Sequence, residues 1–317
     1  MAPQASIARK RYLQQKLDRL LERRHRTLVY ENGEAIPTLA DLQAGVSEIV
    51  QEQIEQTGDA KVISEQAFDI PLADANLTEV SYPVIVIASG FSYTLIEMQK
   101  IERAASNGSR FRVNDKRGEA AARAIAEKVN RYTAYGSSQY NFPGFLNHPD
   151  VDVEDSSTDI FDSNTTDDEV YDFVKDRVYD IAKRTELIEQ PTTLRVSIDV
   201  HARLTDPRAN SASDTTVKNL LLENLREMGL REIVPDTHLN SDRLEQYGVH
   251  AAGTHKDRMV LYPKFPEVVE RHVEPLQMAP EEYRNMRYIF PAYACVSPAL
   301  INFPDAMYYI DLPKKSA

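Results

Sequence analysis

The side chains able to do chemistry are present, but their spacing does not gather them. Seven histidines fall at positions 25, 148, 201, 238, 250, 255 and 272, with no His-Glu-x-x-His run and no i, i+4 pair, so a helical zinc site has no support. His250 and His255 lie five apart in a glycine-containing loop, where a structural role outweighs metal binding. Asp199 and His201 share a face if the run around them is a strand, and would then form an acid–base dyad; an exposed polar strand face is the simpler account. Asp162-Ser163-Asn164 opens like an EF-hand loop but lacks the glycine and the distal glutamate that calcium needs. No serine sits in a Gly-x-Ser-x-Gly elbow, and Cys295, in Ala-Tyr-Ala-Cys-Val, has the apolar neighbours of an inert buried thiol. As the only cysteine it can make neither an intramolecular disulfide nor a multi-thiolate metal site. The eleven glycines never fall as Gly-x-Gly-x-x-Gly or as a Walker loop, which removes the familiar phosphate cradles. The expectation is a protein that is not an enzyme, with no catalytic residue, no cofactor and no metal.

Charge is the stronger signal once it is divided along the chain. The net charge is -12, yet residues 1–30 carry eight basic side chains (Arg9, Lys10, Arg11, Lys16, Arg19, Arg23, Arg24 and Arg26) against only Asp18 and Glu22. Leu13, Leu17, Leu20 and Leu21 form one stripe of the same segment, an amphipathic helix with nothing local to bury against. Such asymmetry marks an arm that meets nucleic acid or the acidic body of another copy, although a solvated helix face carries charge in the same way. The two acids and the lack of serine enrichment argue against a mitochondrial targeting peptide. Conversely, residues 150–169 hold nine acidic side chains and no basic one, read as a solvated loop running into a helix start. At 42% hydrophobic and 27% charged the chain is globular in composition, and no apolar run approaches the roughly 20 residues of a membrane helix. Its 317 residues fit two domains or one elaborated fold.

The elements that must position these residues follow from periodicity. Pro37 and Thr38 open a predicted helix carrying Leu39, Leu42, Val46, Ile49, Val50 and Ile54, closed by Gly58. Lys61 to Ile70 and Leu77 to Val86 read as two extended arms joined by a turn over 71–76, a projecting hairpin or else two strands of a central sheet. Residues 83–91 continue as a buried strand. Gly118 to Tyr135 is a strong helix with a stripe of Ala122, Ile125, Val129 and Tyr132, with Glu119–Arg123 and Glu127–Arg131 pairs, ended by Gly136. Thr166 or Asp167 caps a helix whose apolar face is Val170, Phe173, Val174, Val178 and Ile181, stopped by Pro191. Leu194, Val196, Ile198 and Val200 alternate with Arg195, Ser197, Asp199 and His201 as a strand with a polar outer face. Val217, Leu220, Leu221, Leu225 and Met228 make a further core helix ending at Gly229, 258–262 and 306–310 are short strands, and 286–303 is an extended run broken by Pro291 and Pro298. Tyrosines and phenylalanines cluster at 132–145 and 283–309 without a tryptophan, suited to cores or subunit contacts. The irregular mixture is α+β.

In this order the segments resemble the major capsid proteins of tailed bacteriophages with the Hong Kong 97-like fold, which encapsulins share. The basic segment 1–30 looks like the N-terminal arm, 59–82 like the extended E-loop hairpin, and Gly118–Tyr135 like the long spine helix of the peripheral domain. The step from Tyr135-Gly136 to Gly144-Phe145-Leu146-Asn147-His148-Pro149 is similar to the passage into the axial domain, whose core the strand 193–203 and helix 215–228 resemble. The resemblance implies an arm over 1–35, a peripheral-domain helix over 36–58, the E-loop over 59–82, the peripheral domain over 83–139, the axial domain over 140–263, a peripheral-domain return over 264–298 and an axial end over 299–317. It implies hexamers and pentamers of identical chains in an icosahedral shell around double-stranded DNA, formed in the host cytoplasm, with no membrane partner. Arm contacts to neighbours or DNA fall to the eight basic residues with Leu13, Leu17 and Leu20, and E-loop contacts to Val62, Phe68, Ile70, Leu72, Leu77 and Val80. No long scaffold-like segment precedes the arm and no crosslinking lysine–asparagine pair is identifiable, so a portal and separate scaffold or decoration proteins are the expected partners. The alternatives are an encapsulin-type cargo shell and a soluble enzyme or binding protein of another α+β fold.

Overall fold

The computed structural model describes residues 25–58, 73–106, 113–156, 158–208 and 215–315. Its strands are β1 Thr38–Leu39, β2 Glu48–Thr57, β3 Asp74–Pro83, β4 Ile85–Thr94, β5 Val153–Asp155, β6 Thr193–Val196, β7 Glu232–Pro235, β8 Lys256–Tyr262, β9 Val269–Met278, β10 Glu282–Arg284, β11 Arg287–Val296, β12 Leu300–Ile301 and β13 Tyr308–Pro313. Its helices are α1 Leu95–Ser106, α2 Val113–Tyr135, α3 Asp167–Arg184, α4 Ile198–Thr205, α5 Val217–Asn224 and α6 Ser241–Gln246.

In a five-stranded sheet of order β5-β13-β8-β6-β7 the three central strands are buried on both faces. Strand alternation divides its side chains: Leu194, Val196, Met259, Leu261, Ile310 and Leu312 meet Val170, Phe173, Val174, Val178 and Ile181 of α3 on one side. Val260, Tyr262 and Tyr309 meet Tyr30, Ile36, Tyr135, Phe145 and Leu146 on the other. The α3 face is the one the periodicity predicts, and Thr166 caps it in a full capping box with Glu169. The helix ends at Arg184, ahead of Pro191, because Glu186 and Leu187 turn left-handed at φ 51° and 65°.

A second sheet joins β4, β9, β10 and β11 with the short β1 and β12. Ile87, Ala292, Ala294 and Val296 on its inner face pack on Ile125 and Val129 of α2, the stripe expected there. Gly136 ends α2 at φ 68°. A Cβ on Gly136 would stand 2.4 Å from the Phe142 carbonyl oxygen, and one on Gly144 2.3 Å from the Gly136 nitrogen, so the turn between the sheets needs glycine at both positions.

Several expectations are corrected. No helix forms over 36–58: Thr38–Leu39 pairs parallel with β9, Gly45 turns at φ 84°, and Glu48–Thr57 is a strand in a ten-residue antiparallel ladder with β3. β-branched Ile49, Val50 and Ile54 suit a strand, and Val50 and Ile54 are four apart, a spacing that fits one face of either element. The hairpin therefore begins at Glu48, and Asp74–Asn76, read as turn, lies in β3; Lys61–Ile70 lies outside the described residues. The strand read as 193–203 stops at Val196, where Ser197 accepts from the Val200 amide at 3.3 Å and starts α4. Arg195, assigned to a polar outer face, is 1% exposed. Arg123 pairs with Glu127 at 3.0 Å and Glu119 with Lys116 at 2.7 Å instead of the expected pairs. Pro291 does not break β11: it stands opposite Gly90, whose missing side chain leaves room for the Phe290 carbonyl.

Candidate assembly surfaces

Strands β2 and β3 form a sheet of their own. Ten residues at about 3.3 Å each give a ribbon of about 30 Å, and a two-stranded ribbon is marginal in isolation. The register sets Ile54 opposite Leu77, Glu52 opposite Glu79 and Val50 opposite Ser81 on one face. Val50, Ile54 and Leu77 are 54%, 66% and 57% exposed. Neither strand carries a lysine or arginine, and directly opposed Glu52 and Glu79 repel. The base is fixed: Gln51 Nε2 donates to Asn302 Oδ1 at 2.8 Å, Ser81 to Glu48 at 2.9 Å, and the Val84 amide to the Ser47 carbonyl at 2.8 Å. Tyr82 is buried there, and burial followed by the Asp150 charge pushes its phenol up. Of the hairpin residues expected to make contacts, Leu77 is exposed and Val80 half-buried; Val62, Phe68, Ile70 and Leu72 lie outside the described residues.

The basic segment meets the body at its root. Arg9, Lys10, Arg11, Lys16, Arg19, Arg23, Arg24, Leu13, Leu17 and Leu20 lie outside the described residues. Arg26 is exposed, and its carbonyl accepts from Arg123 on α2 at 3.0 Å. Two residues later the chain enters the core, with Leu28, Tyr30, Ala35 and Ile36 buried. Arg271, 1% exposed, clamps this strap by donating to the Glu31 carbonyl at 2.9 Å, to Thr38 at 3.0 Å and to Thr133 of α2 at 2.9 Å. Burial pulls its guanidinium down to about 10, against the Glu31 charge. The Tyr262 hydroxyl donates to the Ala35 carbonyl at 2.6 Å.

Between β4 and α2 runs an open groove of about 650 Å³, floored by Ile85, Ile87 and Ile125 and walled by Tyr132, Tyr140 and Lys128. Lys128 and Arg131 stand over the Tyr132 ring at 4.7 and 5.1 Å. Burial raises the Tyr132 phenol, and the two cations more than reverse this, leaving it below its ordinary value. Beside the groove Val86 is 63% exposed.

Most of the residues first considered for chemistry have structural partners. Asp199 and His201 stand on α4, where a strand-face dyad is impossible, and His201 faces Lys218 at 3.0 Å. His250 and Arg258 both bind the buried carboxylate of Asp311, while His255 lies by Glu245. Asp162 accepts from the Asn164 backbone at 2.9 Å as a turn former. Cys295 is buried, and burial, then a hydrogen bond to Glu274, raises its thiol to about 11. Among the described residues no group of three or more His, Cys, Asp or Glu is arranged to hold a metal, and no described helix is long and apolar enough to cross a membrane.

A family model described as major capsid protein matches residues 58–312. The chain belongs to the major capsid protein family. A search of curated proteins gave no match, but solved structures do match. The capsid of Myoviridae phage XM1 aligns at a TM-score of 0.75 and 14% identity, covering 95% of this chain and 97% of that one. The capsid of an empty GTA particle aligns at 0.63 and 13%, covering 99% and 100%, and a virus-like particle from Pyrococcus furiosus at 0.52 and 11%, covering 89% and 95%. The fold of this major capsid protein is the Hong Kong 97-like one, and an encapsulin-type shell is not favoured. The role is structural: copies self-assemble into the shell of a virion.

Proposed function

We propose that this capsid subunit builds a closed icosahedral shell of hexamers and pentamers around double-stranded DNA, using the hairpin and the arm as its links to neighbours. The observation that carries this reading is the β2/β3 ribbon, which has Val50, Ile54 and Leu77 exposed and pairs with no third strand among the described residues. Such surface is stable when another copy buries it. The hairpin of one copy, with Leu77 and Val80 and with Val62, Phe68, Ile70 and Leu72 of the E-loop segment, lies across the β4/α2 groove of the next, its carboxylates toward Lys128 and Arg131. The six-stranded sheet with α1 and α2 serves as the peripheral domain and α2 as its spine, and the five-stranded sheet with α3 to α6 serves as the axial domain at the capsomer centre.

Arg9, Lys10, Arg11, Lys16, Arg19, Arg23, Arg24 and Arg26, with Leu13, Leu17 and Leu20, line acidic neighbours or the packaged DNA, in contacts that weaken with salt. The work is assembly and not turnover; it takes place in the host cytoplasm with a portal and a separate scaffold or decoration protein. Negative-stain microscopy of the purified protein, with and without residues 2–24, tests the reading. Closed shells from the full chain and aberrant or absent shells from the truncation are expected. A full-length protein that stays a monomer or small oligomer under all assembly conditions rejects the shell, and normal shells from the truncation reject the role of the arm.

A further inference from the structure

A ring of hydrogen bonds closes where three parts of the chain meet: the strap after the arm, helix α2, and the turn after β7. Tyr30, Asn130, Asp236 and His238 are each 3% exposed or less. The Tyr30 amide donates to Asn130 Oδ1 at 2.9 Å, Asn130 Nδ2 faces His238 Nε2 at 3.0 Å, His238 Nδ1 lies 2.9 Å from Asp236 Oδ1, and the Tyr30 hydroxyl returns to Asp236 Oδ2 at 2.6 Å.

Every member of the ring has a forced polarity. A backbone N–H only donates, so Asn130 must turn its oxygen to Tyr30 and its amino group to His238. His238 Nε2 must then offer a lone pair. Asp236 is an acceptor: burial raises its carboxyl, but the hydrogen bond from His238, the charge of Arg195 and the hydrogen bond from Tyr30 more than reverse this and hold it well below the usual range. Nδ1 therefore carries the hydrogen, and the ring fits only the neutral Nδ1–H imidazole. A proton on Nε2 would set two donors against each other across 3.0 Å. Flipping the Asn130 amide only moves the conflict to the Tyr30 amide.

The groups around the imidazole come from each packed element. Asp236, on its own turn, sets a carboxylate oxygen 2.9 Å from Nδ1, and Arg195 on β6 binds the other oxygen of Asp236 at 3.2 Å. Tyr30 meets the ring edge-on with centroids 5.1 Å apart, and Tyr135 of α2 lies at 5.8 Å and donates to the His238 carbonyl at 3.0 Å. Arg243, near α6's start, acts on that Tyr135 hydroxyl and adds positive charge.

We propose that His238 is an acid-sensitive latch. Neutral, it ties the strap that carries the arm, and α2 with it, to the five-stranded sheet; protonated, it lets go of Asn130 and so frees the Tyr30 amide. This goes beyond the shell reading and rests on the subunit alone, so it stands or falls whether or not shells form.

Hydrogen–deuterium exchange of the full-length protein between pH 8 and pH 5, normalised to intrinsic rates, tests it. Protection of the Tyr30 amide should fall about tenfold or more in acid, while the core amides of α3 keep theirs. In Asn130→Asp a carboxylate can accept from both the Tyr30 amide and a protonated His238, so the dependence should invert, with better protection at pH 5 than at pH 8. Tyr30 protection in the wild type that is flat with pH overturns the latch without reference to any variant. A folded Asn130→Asp protein that loses protection in acid as the wild type does overturns it equally; if the variant does not fold, the wild-type profile decides.

Discussion

Replacing Ile54 and Leu77 together by threonine removes the apolar centre of the hairpin face while keeping strand-forming residues. The two stand opposite each other in the ladder, 66% and 57% exposed. A fully buried aliphatic side chain contributes about 1.5–3 kcal/mol, so covering these exposed fractions in a neighbour's groove contributes about 2–4 kcal/mol per hairpin. At about 1.4 kcal/mol per factor of ten, the double variant weakens each contact by about 30- to 700-fold. Because neither side chain belongs to a core cluster of its own subunit, the thermal midpoint of the unassembled protein should hold, within the roughly 0.5 kcal/mol of an ordinary surface change. Light scattering against subunit concentration reads the assembly threshold, and calorimetry of the subunit reads the control. An assembly threshold within threefold of wild type would refute the reasoning. So would a large fall in the subunit's own midpoint, since the residues would then be serving the monomer.

Three further outcomes follow from the body of the subunit. Gly136→Ala forces a Cβ to within 2.4 Å of the Phe142 carbonyl oxygen at φ 68°, and should cost at least about 3 kcal/mol; a denaturation midpoint close to wild type would mean the turn relaxes freely. Cys295, its thiol raised to about 11 against an ordinary value of about 8.5, should react with a thiol reagent at pH 8 roughly 200-fold more slowly in the native than in the unfolded protein, and faster as pH rises; equal rates would show the site to be open. Asp311 accepts from Arg258 at 2.7 and 2.8 Å and meets His250 at 3.0 Å. Burial raises its carboxyl, but these partners more than reverse that and leave it below the ordinary value. A carboxyl lowered by folding stabilises above its unfolded value near 4 and loses that contribution as pH falls through the folded one. Asp311→Ala should therefore cost about 3–5 kcal/mol at pH 7, with the gap to wild type narrowing in acid; a gap that is the same at pH 3 contradicts the assignment.

The parts that could be read from the sequence are those whose local signals agree with their tertiary setting. Thr166 and Glu169 box the start of α3, its apolar face repeats at helical spacing, and all of that face is buried against the five-stranded sheet. The Ile125–Val129 stripe and Gly136 place α2 in the same way. Segment 36–58 misleads because apolar residues three and four apart suit either element, and what decides is a pairing partner some 25 residues away, β3. The run 193–203 misleads for the opposite reason: its alternation is real for four residues, then Ser197, an ordinary polar residue in a strand, acts as a cap.

The buried ring left no trace in the sequence because nothing local announces it. The long steps of the ring, Tyr30 to Asn130, Asn130 to His238 and Asp236 back to Tyr30, span 100, 108 and 206 residues, and Arg195 reads as the polar side of an exposed strand until Asp236 and Tyr30 close over it. The same holds for Arg271, whose three partners lie on the strap and on α2. Both clusters use charge and hydrogen bonds, not apolar area, to hold the strap at the root of the arm. Polar contacts of this kind are sensitive to geometry and to protonation in a way that apolar packing is not. A subunit whose arm must leave the body in a defined direction gains from fixing it there, where one proton or one shifted side chain can let it move.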